Sequence, residues 1–124
     1  MIVAPIIDRE PVIETLFDEK GRVDLAAVAD LTGQPIARLA PMTSLTADAL
    51  RKNPTSDKAQ PAGRRFIEIL SSAVYLFGGT KPALIWMRYP REELGGESPL
   101  DIALKGEFGP VEGLLHDILS GQPG

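Results

Sequence analysis

Between Arg64 and Phe77 the chain carries its longest uninterrupted helical pattern, and this pattern limits the possible folds more than any other feature. Phe66, Ile67, Ile69, Leu70, Ala73, Val74, Leu76 and Phe77 spread apolar surface over more than half the helix girth, while Arg64, Glu68, Ser72 and Tyr75 leave a narrow polar stripe. A helix of this kind must be covered on several sides. A chain of 124 residues has few elements with which to do it. The pattern therefore predicts a central helix wrapped by shorter ones, with a second copy of the chain meeting it near Val74 or Leu76.

The rest of the sequence reads as short helices punctuated by Gly and Pro. One is expected over Asp8 to Asp18, with Val12, Ile13, Leu16 and Phe17 at helical spacing, broken by Lys20-Gly21-Arg22. Asp24 caps a second helix that Gly33 ends. Pro35 to Leu39 forms a third short turn closed by Pro41, and Thr46 caps a fourth over Ala47 to Lys52. Asn53 to Gly63, with two prolines and many small polar residues, reads as a linker. Met1 to Ile7 is compatible with a short extended segment, and no fixed-period repeat is visible.

Past Gly78-Gly79, Thr80 and Pro82 begin a helix leading to Trp86, the only tryptophan. Pro90 biases Tyr89 out of helical geometry and ends it. Gly95 and Gly96 allow a tight loop. Ser98, Pro99 and Asp101 then form a helix start, with a cap, a first-turn proline and a carboxylate at the capping-box position. Gly106 stops that helix, and Pro110 to Ser120 makes the last, with Gly121 as terminator. A loop framed this firmly is a scaffold or a recognition element. Trp86 is expected in the core, and Arg88, Arg91, Glu92, Glu93 and Glu97 are held between rigid corners as in a protein interface.

Charge and composition exclude several classes. The net charge is −4, which argues against a large phosphate-binding surface. It is evenly shared, with seven basic and nine acidic residues over 1–62 and six and eight over 63–124. With no cysteine there is no disulfide scaffold, thiol catalysis or cysteine-ligated zinc. The N-terminal apolar run is too short for a signal peptide and no segment reaches the length of a membrane span, so a cytoplasmic protein is expected.

Catalytic signals are weak. His116, the single histidine, lies four residues after Glu112, and the pair could act as an acid/base dyad or as two metal ligands. A solvated helix surface accounts for them better, because no second histidine completes a zinc site and no Gly-x-Ser-x-Gly elbow is present. Gly78-Gly79-Thr80-Lys81 lacks the spacing of a phosphate loop and reads as a cap pair. No enzyme, metal or cofactor is expected. Asp24 to Leu39 has a helix, a glycine-containing turn and a short helix, which suits a helix-turn-helix in which Gln34 and Arg38 are the side chains suited to base edges.

Residues 64–121 resemble the Xre/MbcA/ParS family of antitoxins in their C-terminal toxin-binding domain. The resemblance rests on Phe77-Gly78, Ala83, Trp86-Met87, Pro90, Leu94-Gly95-Gly96, Pro99-Leu100-Asp101, Gly109, Val111, Leu115, Ile118 and Gly121, in that order. The family usually has Leu where this chain has Met87, and often Asn where it has Arg91. The resemblance implies an N-terminal helix-turn-helix region, antitoxin dimers, and a partner toxin of the RES type that consumes NAD or transfers its ADP-ribose. It also implies neutralisation by blocking the toxin's NAD-binding cleft with the C-terminal part.

The expectation is thus an all-α protein: a reduced helix-turn-helix region over 1–62 and a toxin-binding domain over 63–124. Its toxin-binding residues are taken as Arg88, Arg91, Glu93, Glu107, Glu112, Asp117 and Gly121. Trp86, Pro90, Gly95, Gly96, Pro99 and Asp101 frame the motif, and Gln34 and Arg38 are the candidates for operator DNA. The acidic residues Glu107, Glu112 and Asp117 suit a partner whose cleft holds a pyrophosphate. The alternative is a DNA-binding regulator that acts without a toxin.

Overall fold

The computed structural model describes residues 9–121. Eight α-helices are seen among them: α1 (Arg9–Glu14), α2 (Leu25–Thr32), α3 (Ala40–Thr43), α4 (Ala47–Lys52), α5 (Gln60–Phe77), α6 (Thr80–Arg88), α7 (Pro99–Leu104) and α8 (Phe108–Leu119). The expected all-α fold is borne out; the described residues form no strand beyond an isolated bridge between Phe17 and Val23. The extended segment expected over 1–7 and the last three residues lie outside the described part.

α5 is the centre, and α6, α8 and α3 pack on it. Its broad apolar face is covered from within the chain: Phe66, Ile69, Leu70, Ala73 and Val74 are all buried. Val74 is therefore shielded by its own chain, whereas Leu76 and Phe77 are only half-buried. A close approach helps this coverage. A Cβ on Gly63 would lie 3.1 Å from Val23 Cγ1, so the glycine lets α5 rest on the segment before α2.

The first helix is shorter than its apolar spacing suggests. Asp18 serves a turn instead: its Oδ1 accepts from the N–H groups of Lys20 and Arg22, each at 2.9 Å, and Arg22 Nε meets Oδ2 at 3.1 Å. Gly21 takes φ +79° at the bend. The chain then doubles back so that Asp24 donates to the Leu16 carbonyl at 2.8 Å. Asp24 next caps α2 through the N–H of Ala26, and Gly33 closes α2 at φ +71°. Pro41 does not close the following turn. The 3-10 turn Ile36–Leu39 runs into α3, where Pro41 sits in the first turn, a place where its missing N–H goes unneeded.

Asn53 to Gly63 is not a linker. Ser56 caps a 3-10 turn over Asp57–Ala59, and α5 begins at Gln60, four residues ahead of the expected start. Gln60 is buried, and its amide pairs with both backbone groups of Val23: Oε1 accepts the N–H at 2.7 Å and Nε2 donates to the carbonyl at 3.0 Å. Position 62/63 thus falls inside a helix. Val23, Leu25, Leu39 and Leu50 share one apolar cluster with Phe66, Leu70, Leu100 and Val111.

Candidate functional site

The cassette read from the sequence folds as a corner between α6 and α7. Tyr89 leaves the helix at φ −89°, ψ 125°, as a residue before proline should. A 3-10 turn over Glu92–Leu94 follows, and Gly95 and Gly96 adopt φ +71° and +87°. The loop closes on itself: the Gly96 N–H donates to the Arg91 carbonyl at 2.9 Å and the Arg91 N–H to the Glu97 carbonyl at 3.1 Å. Ser98 caps α7 by accepting from the Asp101 N–H at 3.1 Å.

Trp86 is not the fully buried anchor expected of it. It is half-buried, its ring stacked on Phe77 with centroids 5.3 Å apart, and the Arg91 guanidinium lies 5.7 Å from its centroid. The residues of α6 with no exposure at all are Ala83 and Met87. Helical geometry explains the difference: Ala83, Leu84 and Met87 share the face turned to α5, and Trp86 sits at its margin. Arg91 also reaches Glu93 at 3.4 Å, and its Nε is shut away from solvent without a partner. The Glu93 carboxyl is held below its ordinary range by its own backbone N–H first, with Arg91 adding to the effect.

The other expected toxin-binding residues are dispersed. Arg88 turns toward the N-terminal region and donates to the Thr32 carbonyl, the end of α2, at 3.0 Å. Glu107 is exposed at the N-cap of α8 without a capping bond. Both oxygens of Glu112 are gripped by Arg65 at 2.7 Å; this hydrogen bonding lowers the Glu112 pKa and raises that of Arg65. The same guanidinium lies 5.1 Å over the Phe108 ring. Asp117 and Gly121 are exposed near the end of α8. Glu112 and His116 line a shallow groove of about 280 Å³ with Glu68, Ile69, Ser72, Leu115 and Leu119. Among the described residues no cluster of three or more acidic, His or Cys groups could hold a metal, and no helix is long and apolar enough to cross a membrane.

Gln34 and Arg38 meet each other and the first turn of α7. Arg38 donates to Gln34 Oε1 at 2.7 Å and pairs with Asp101 Oδ1 at 3.1 Å. Burial pushes the Asp101 carboxyl upward, but the bonds from Arg38 and Ser98 outweigh it and leave the pKa lowered.

One group of residues escaped the sequence reading. Ile85, on α6, and Tyr89, the residue that ends it, are 62% and 66% exposed and lie four positions apart. The available signal was a short helix with two apolar faces: Ala83, Leu84 and Met87 on one, Pro82, Ile85 and Tyr89 on the other.

Residues 72–114 match the family described as the antitoxin Xre/MbcA/ParS C-terminal toxin-binding domain. This bears out the resemblance and gives the segment a coarse function, that of a toxin-binding antitoxin domain. The match runs from the second half of α5 through the α6–α7 corner to α8, and includes Arg88, Arg91, Glu93, Glu107 and Glu112. Asp117, Gly121, Gln34 and Arg38 lie outside it. No curated protein matches the chain.

Proposed function

We propose that this protein is the antitoxin of a type II toxin–antitoxin pair, that its partner is a RES-type toxin which consumes NAD or transfers its ADP-ribose, and that it neutralises the toxin by occluding the NAD-binding site. It acts by binding and is not an enzyme. The observation that carries this reading is the toxin-binding match over 72–114, which falls on the hydrogen-bonded α6–α7 corner and the helices that frame it. The RES type and the occlusion draw support from the family resemblance and from the chain's acidity, which complements a cleft built for a pyrophosphate. An assembly of antitoxin dimers with toxin is part of the same proposal. Leu76, half-buried at the end of α5, is its candidate dimer contact.

The test measures dissociation constants for a RES-type toxin with Arg91→Glu, Glu112→Lys and Asp117→Lys. At least one variant should bind tenfold more weakly with unchanged helical circular dichroism. Asp117→Lys is the cleanest, since Arg91 and Glu112 also hold internal pairs. Full affinity in all three would place the toxin contact away from these positions.

A further inference from the structure

α6 has more apolar surface than its own chain uses. Ala83, Leu84 and Met87 are buried against the core. On the other side Pro82, Ile85 and Tyr89 follow one another at helical-turn spacing and remain exposed. Beside them lie Trp86 and Phe77, half-buried and stacked on each other, with Arg91 against the indole. The patch therefore has a flank fixed by ring stacking and two exposed apolar side chains. Tyr, Trp and Arg are the residues that most often carry the energy of protein interfaces, and a surface already ordered loses less entropy on binding.

The patch ends at a recess. Tyr89, Pro90, Arg91, Glu92 and Glu93 line an open hollow of about 590 Å³. Arg91 is drawn back onto Trp86 and Glu93, so the exposed charged groups at this mouth are acidic, Glu92 and Glu93. A partner suited to this surface has an apolar hollow for Ile85 and Tyr89 and a Lys or Arg side chain that reaches the recess.

Resting on the antitoxin reading, we infer that the Pro82–Ile85–Tyr89 face of α6, with the Glu92–Glu93 recess beside it, is the central contact with the toxin. The toxin is favoured over a second copy of this chain because every residue of the surface lies within the segment matched to a toxin-binding domain, and because two copies of an acidic chain do not supply a matching basic group as readily as a toxin whose cleft binds a dinucleotide.

Ile85→Ala, Tyr89→Ala and the double variant test this. Both side chains are mostly in water, so melting temperatures should stay at the wild-type value. Binding of a purified RES-type toxin is measured by calorimetry, and the mass of each variant alone by light scattering. The expected result is at least tenfold weaker toxin binding for each single variant and at least a hundredfold for the double, with unchanged mass. Glu92→Lys should slow association and reduce its salt dependence. If the wild type binds and the double variant binds equally well, the contact lies elsewhere and the antitoxin reading stands. If the double variant instead lowers the protein's own mass, the face joins two antitoxin copies and the inference is overturned. If the wild type binds no RES-type toxin, the antitoxin reading fails and takes this contact with it.

Discussion

The amide of Gln60 does the work of a missing strand, and removing it should unfold more than its size suggests. Val23 is fully buried, and the bridge to Phe17 leaves its N–H and carbonyl facing the other way. Gln60 satisfies both, at 2.7 and 3.0 Å, and its Nε2 reaches the carbonyls of Thr55 and Ser56 at 3.3 Å. Gln60→Leu keeps the bulk but orphans two buried backbone groups, at about 1–3 kcal/mol each. Added leucine burial offsets about 1 kcal/mol, so a net loss of about 1–5 kcal/mol is expected. For a domain of this size that lowers Tm by roughly 10 °C. Gln60→Glu provides a pH signature. Its carboxylate can accept from Val23 but would face three carbonyl oxygens, so its folded-state pKa is raised. A raised carboxyl pKa means that stability is lost as pH rises through it and regained as pH falls. Urea unfolding followed by circular dichroism between pH 5 and 8, relative to wild type, reads both effects. A Gln60→Leu variant within 0.5 kcal/mol of wild type, or a Gln60→Glu variant with the wild-type pH profile, would refute this account of how the N-terminal region is fastened to α5.

Three further outcomes follow from the geometry. Trp86→Ala should destabilise by less than the about 3–5 kcal/mol of a fully buried aromatic, because the ring is half-exposed; a larger loss in chemical denaturation would mean that the indole holds the core. Glu112, its pKa lowered by Arg65, contributes stability that is present above the ordinary glutamate range and lost as pH falls through the lowered value. Glu112→Gln should remove that part of the acid limb, at a cost near neutral pH of about 1 kcal/mol or less for so exposed a pair, and an unchanged acid limb would count against the pair. If Arg38 reads operator DNA, Arg38→Ala should weaken a gel shift and spare toxin neutralisation; an unchanged shift removes it from the reading helix.

Local signals were legible wherever a short side chain meets its own backbone. Asp24, Thr46 and Ser98 cap the helices expected of them, and Gly33 and Gly78 end theirs, because caps and left-handed terminators act within a few residues. The misreadings arose where a distant partner decides the outcome. Pro61 and the polar residues around it suggested a linker, but the role of Gln60 depends on Val23, 37 positions away. Asp18 continued an apolar helical spacing until a turn across to Arg22 claimed it. Trp86 fell at the margin of its helix's buried face, since which of two adjacent apolar residues points inward depends on where α5 lies. In the site, the charged corner was legible, but the free apolar face of α6 was not. An exposed isoleucine and a buried one look alike until the helix is docked.

The most direct measurement is the rate of NAD consumption by a purified RES-type toxin as this protein is titrated in. The rate should fall to background as the protein saturates the toxin, and NAD should no longer bind the toxin in the complex. A complex that forms but consumes NAD at the full rate would contradict occlusion, and full activity with no complex at saturating concentration would contradict the antitoxin function itself.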